Sequence, residues 1–243
     1  MKKLIFLLVA FCTIHVHAQE VLLRYNSKEG DTYKMEMKVK QEVGTFMAQT
    51  TETTMIMKTI SVTDTTIVNE MKIDKMSMDM IQGQNIINYD STKSDEELDE
   101  TGKMMKAQLA PVLSAVITTT QDKLGNVKGV SVDPNIPQAA QMTNQSSNTV
   151  FPEEAVTIGS TWSDTREENG MNIKTNYTVS SIDANYIDLD ITGDVTGMGN
   201  GKLSGKMKLT ISSGIPVNSS MQMDLNIQGM DSKMSVEVSF TKS

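Results

Sequence analysis

Histidine and cysteine are almost missing from this sequence. Its 243 residues hold two histidines and one cysteine, and all three (Cys12, His15 and His17) fall within the first 18 positions. From residue 19 onward there is neither thiol nor imidazole. That excludes disulfides, thiolate nucleophiles, Ser-His-Asp triads and His/Cys zinc sites there, and with them the commonest general base. Aromatics are scarce, with five Tyr, five Phe and one Trp. Basic charge is short: 22 Lys and Arg face 30 Asp and Glu, a net charge of −8. Such a balance repels nucleic acid and anionic membrane surfaces. Long apolar runs are missing after residue 11, where nothing approaches the roughly 20 residues of a transmembrane segment.

The N-terminus carries an address. Lys2 and Lys3 precede the apolar run LIFLLVAF (4–11), and Val16-His17-Ala18 puts small residues at the minus-three and minus-one positions of a cleavage site. This predicts a secretory signal peptide over 1–18, cleaved after Ala18. The rival lipoprotein signal would use Cys12 and requires a small residue where Phe11 stands. Losing Lys2 and Lys3 takes the net charge to −10. The expected localisation is the periplasm or the periplasmic face of an outer membrane.

Two boxes of one pattern divide what remains. GDTY (30–33) and GSTW (159–162) each set Gly, a polar residue, Thr and an aromatic ahead of alternating strands. Further along, TTTQDKLGNVKGVSV (118–132) and KLTISSGIPVNSSMQM (208–223) both read as strand, Gly-bearing turn and strand. The pattern predicts two repeated halves, 19–150 and 151–243. The first is longer by a helical insertion at about 94–117, where Ser94 and Glu97 have capping-box spacing and Pro111 is expected to break or kink the helix. A second, short helix is expected to start after Asp133-Pro134 and run through QAAQM (138–142), with 143–152 as a linker.

Elsewhere the chain alternates. Tyr33, Met35, Met37 and Val39 interleave with Lys34, Glu36, Lys38 and Lys40; Met221, Met223 and Leu225, and Met234, Val236, Val238 and Phe240, do the same later on. One buried and one wet face is the signature of antiparallel sheet. Over 67–80 the apolar phase slips from Ile67, Met71 and Ile73 to Met76, Met78 and Met80, which predicts a β-bulge near Asp74-Lys75. The fold class expected is mainly β (α+β): curved antiparallel sheet from two repeated halves, with one long and one short helix packed on the apolar face.

Methionine dominates that face, with 20 in the chain. Thioethers are soft ligands suited to copper(I), and Met55 with Met57, or Met76, Met78 and Met80, follow an M-x-M spacing. Each such pair also obeys its own strand's alternation, however, and no histidine assists, so packing explains the pattern without metal or cofactor. Methionine is at the same time an adaptable lining for an irregular apolar ligand. The candidate ligand-binding residues are therefore Met35, Met37, Met55, Met57, Met76, Met78, Met80, Met105 and Leu109. No catalytic residue is assigned. The acidic run DEELDE (95–100) reads as a solvated helix start, since it lacks the spacing of a calcium loop. Trp162 reads as a core anchor at a strand start, and GMGNG (197–201) as a hairpin turn rather than a phosphate loop.

The HA-QE junction, the GDTY box, the turn DKLGNVKGV (122–130) and FPEEAVTIGSTWS (151–163) together resemble a family of uncharacterised exported proteins of Bacteroidota. The architecture is more loosely similar to periplasmic lipoprotein carriers, in which a curved antiparallel sheet half-wraps helices around an apolar pocket. That likeness implies a non-enzymatic carrier for a lipid or other apolar ligand, with a pocket between sheet and helix. A structural or interaction module contacting an envelope protein is the alternative. A copper(I) protein or a carboxylate hydrolase stands behind both.

Overall fold

The computed structural model describes residues 19–136, 149–168, 170–227 and 229–243. Their strands form one antiparallel sheet of twelve. The first group is β1 (Thr32–Val43), β2 (Met47–Val62), β3 (Thr66–Gln82), β4 (Asn85–Asp90), β5 (Val116–Asp122) and β6 (Val127–Asp133). The second is β7 (Thr161–Glu168), β8 (Met171–Ile182), β9 (Tyr186–Gly197), β10 (Gly199–Thr210), β11 (Pro216–Ile227) and β12 (Met230–Lys242). The order across the sheet is β6-β5-β3-β2-β1-β12-β11-β10-β9-β8-β7, and β4 pairs the second half of β3 beyond β5. The GDTY and GSTW boxes open β1 and β7. The first and last strands, β1 and β12, are neighbours in full register, so the two groups of strands lie in one continuous sheet.

The alternation in the sequence is the alternation of faces. Tyr33 and Met35 are buried while Lys34 and Glu36 are exposed. The expected bulge is present: Thr54 pairs Lys75 and Met55 pairs Ile73, which leaves Asp74 without a partner and moves Met76 onto the inner face. The sheet also curls hard at one end. Consecutive residues Tyr25 and Asn26 donate their N–H groups to Lys123 O in the β5–β6 turn and Ser213 O in the β10–β11 turn. A flat sheet would hold those turns roughly 24 Å apart, five strand spacings. The segments 19–27 and 149–156, bridged at Val21 and Val156, strap this curled end shut. Their Leu23, Tyr25 and Phe151 form the main core with Tyr177, Val179, Ile187, Leu189 and Leu209 of the sheet. Trp162 joins it as expected, stacked 5.3 Å from Tyr177 and donating its Nε1–H to Val150 O.

The helix is shorter than the sequence suggests. α1 runs Glu100–Ser114, and its N-cap is Asp99, whose carboxylate accepts the Gly102 N–H at 2.6 Å. Glu97 does reach back to the Ser94 N–H, at 2.9 Å. That box, however, closes a separate turn before the helix. Pro111 sits inside α1 and the helix ends one turn later. Of the second helix expected after Asp133-Pro134, residues 135–136 are not helical and 137–142 lie outside the described residues, as do residues 1–18.

Candidate functional site

The inner face of the sheet changes character along the strands. At the strapped end it is a sealed aliphatic and aromatic core. In the middle, α1 lies over it: Val112, with Leu109 and Leu113, packs against Met35, Met55, Ile73 and Met76. Beyond the helix the face stays half-open.

Strand register shows what that open stretch is made of. Residues directly opposite in an antiparallel pair share a face. Met78 lies opposite Thr51, Thr51 opposite Val39, Val39 opposite Val236, and Val236 opposite Met221. The next row runs Met80, Gln49, Gln41, Met234 and Met223. Val43 and Met47 close the face at the β1–β2 turn. All of these are half-buried. Among the described residues, Val39, Val43, Met47, Met78, Met80, Met234 and Val236 belong to neither apolar cluster.

The predicted site residues are therefore split. Met35, Met55 and Met76 are buried core, and Met37 and Leu109 pack against them. Met57 packs on the other cluster at the strapped end. Met78 and Met80 line the open stretch, and Met105 is half-buried on α1. Sequence reasoning missed the opposite wall, Met221, Met223, Met234 and Val236. Their alternation was visible, but nothing local told that β12 would lie beside β1.

Two polar atoms border this face without partners. Thr53 Oγ1 and Tyr89 Oη are buried and have no hydrogen-bond partner among the described residues. Thr53 lies between Met37 and Met76 in register, and Tyr89 opposite Met78. Burial pushes the Tyr89 phenol above its ordinary pKa, so it stays a proton donor. A buried hydroxyl without a partner is costly and calls for an occupant, water or ligand.

A cavity of about 300 Å³ opens on the wet face, lined by Ser181, Asp188, Lys206, Lys208 and Asn218 among others. Its charges pair with each other, Lys208 with Asp188 at 3.5 Å and Lys206 with Asp190 at 3.8 Å. Among the described residues no three acidic, His or Cys side chains gather as a metal site requires, and no helix is long and apolar enough to cross a membrane.

Residues 137–239 match a family of unknown function, DUF6263. The match takes in β7 to β11 and most of β12, with the opposite wall of the open face, and brings no activity with it. No curated protein matches the chain. Among solved structures the chain is similar to a lipovitellin structure concerned with lipid–protein interactions, with a TM-score of 0.56 and 9% identity over 90% of this chain and 25% of that one. The chain thus spans a quarter of the lipovitellin chain. At this identity the likeness is one of fold, an open curved antiparallel sheet.

Proposed function

We propose that this protein is a non-enzymatic binding or carrier protein for an apolar ligand with a polar end, held on the half-open inner face beyond α1. The observation that carries the reading is the row Met78, Thr51, Val39, Val236 and Met221, four apolar side chains and one threonine aligned across five strands and all only half-buried. Flexible thioethers suit a ligand of irregular shape. Thr53 Oγ1 and Tyr89 Oη supply the hydrogen bonds that its polar end would take. The lipovitellin likeness is compatible with lipid as that ligand. The signal-peptide pattern of 1–18 supports action outside the cytoplasm.

Native mass spectrometry of the protein purified from its own host tests this. A lipid-sized adduct is expected, and Val236→Asp, which puts a charge on the open face, is expected to remove it while the circular dichroism spectrum stays the same. A clean unliganded mass from the native host, or an adduct indifferent to Val236→Asp, overturns the proposal. The sheet edge at β6, where Val127 and Val130 are 49% and 42% exposed, favours a second reading, pairing with an envelope protein by strand addition.

A further inference from the structure

The outer face of a curled sheet is convex, so a hollow on it needs a cause. The cavity of about 300 Å³ on that face lies between two β-bulges. Val179 pairs Leu189 and Ser181 pairs Asp188, which leaves Ser180 of β8 as an extra residue. Lys208 pairs Asn218 and Leu209 pairs Pro216, which leaves Val217 of β11 as another. Asp188 pairs Lys208 between them, so one row, Ser181, Asp188, Lys208 and Asn218, crosses four strands with a bulge beside each end. Bulges bend a strand, re-aim its side chains and are over-represented beside functional sites. Here one brings two consecutive serines onto the same neighbour: Ser180 Oγ donates to Asp188 O at 3.1 Å, and Ser181 Oγ to Asp188 Oδ2 at 2.6 Å.

The charges of this hollow are held loosely. Lys208 Nζ stands 3.5 Å from Asp188 and Lys206 Nζ 3.8 Å from Asp190, whereas a charge-assisted hydrogen bond spans about 2.7–2.9 Å. Every other lysine–carboxylate pair among the described residues is 3.1 Å or shorter. Two ammonium groups and two carboxylates therefore face the hollow with hydrogen-bonding capacity to spare, and their charges cancel. A charged ligand loses at one pair of groups what it gains at the other. A hydroxyl both donates and accepts, so neighbouring hydroxyls can bridge ammonium to carboxylate across gaps that no direct bond closes. Tyr186 borders the row. It precedes Asp188 by two residues on the same face of β9, is 37% exposed and has Lys208 Nζ 5.3 Å from its ring centre, which sets an apolar ring beside the polar groups. The volume is at the small end of the range for ligand pockets. The geometry points to a binding site for a small neutral saccharide, its hydroxyls bridging Lys206 and Lys208 to Asp190 and Asp188. This site lies on the opposite face of the sheet from the apolar one and does not depend on it.

Saturation-transfer NMR of the full chain with D-glucose, D-galactose and N-acetyl-D-glucosamine tests this, with glycine as a zwitterionic control and acetate as an anionic one. Transfer to at least one of the sugars is expected, and none to the controls. Asp188→Asn and, separately, Lys206→Gln are each expected to weaken sugar binding about tenfold. The Lys206 side chain is 82% exposed, so its replacement leaves the fold intact, which the urea midpoint checks. Val236→Asp, on the inner face, is expected to leave sugar binding unchanged. No transfer to any of the three sugars, or transfer that either variant at the hollow leaves unmoved, overturns the proposal. Stronger transfer to glycine or acetate than to the sugars would make the hollow an ionic site and equally overturn it. A lipid-sized adduct in native mass spectrometry without sugar transfer rejects this site and keeps the apolar ligand; sugar transfer without an adduct does the reverse.

Discussion

The methionines fall into two sets that burial separates. Met1 and Met142 lie outside the described residues, and of the rest only Met35, Met55, Met76 and Met207 are fully core. A sealed core rewards stiff, close-fitting side chains, as Ile187, Leu189 and Leu209 show at the strapped end; a surface that meets a variable partner rewards adaptable ones. Thr53 gives this idea a sharp test. Its hydroxyl is buried between Met37 and Met76 in register and has no hydrogen-bond partner among the described residues, so no described group offsets its desolvation. Thr53→Val keeps the shape and removes the orphan. It is expected to raise the stability of the unliganded protein by about 1 kcal/mol or more and to lower retention of a polar-ended ligand. Urea unfolding and native mass spectrometry read the two effects, and a destabilised variant would show that the hydroxyl is satisfied in solution.

At the scale of elements, curvature comes from glycine on the inner face. Gly193, Gly201 and Gly205 stand where Ile or Leu would be expected by alternation. A Cβ on Gly201 would meet Asp224 O at 2.0 Å, and one on Gly193 would meet Lys174 O at 2.2 Å. Neighbouring backbone therefore crowds these positions, as a tightly coiled sheet demands. Gly201→Ala must push β10 from β11, and a loss of about 1–3 kcal/mol in urea unfolding is expected; an unchanged midpoint would show that the sheet relaxes without strain. Much of this scale was legible in the sequence. Strand phases and the Asp74 bulge follow from period-two alternation, a local property. The helix start was not, because Ser94 and Glu97 satisfy a capping pattern that a simple turn satisfies equally well, while Asp99 competes for the cap five residues later.

For the whole molecule, what the sequence could not tell is which strands are neighbours. Alternation specifies a strand's face and says nothing of its partner, so the seam between β1 and β12, which joins the chain's two ends and builds the open face, has no local signature. Its far end is held by charge. Lys242, the last residue of β12, places Nζ 2.6 Å from the carboxylate of Asp31, just before β1, and 5.7 Å over the Tyr33 ring. The hydrogen bond from Lys242, with another from the Lys28 N–H, holds the Asp31 carboxyl below its ordinary value of 3.8. A carboxyl whose pKa is depressed by folding stabilises the fold fully above its unfolded value, and that contribution is lost as the pH falls through the lowered folded value. Asp31→Asn is therefore expected to be less stable than the parent in urea near pH 7, and the gap to narrow in acid, as the pH falls below the ordinary carboxylate value and through the lowered one. Because Lys242 is half in solvent, added salt is expected to narrow the neutral-pH gap as well. A deficit equal at neutral and acid pH would mean that Asp31 shapes the turn through geometry alone, and that backbone pairing holds the seam without the charge.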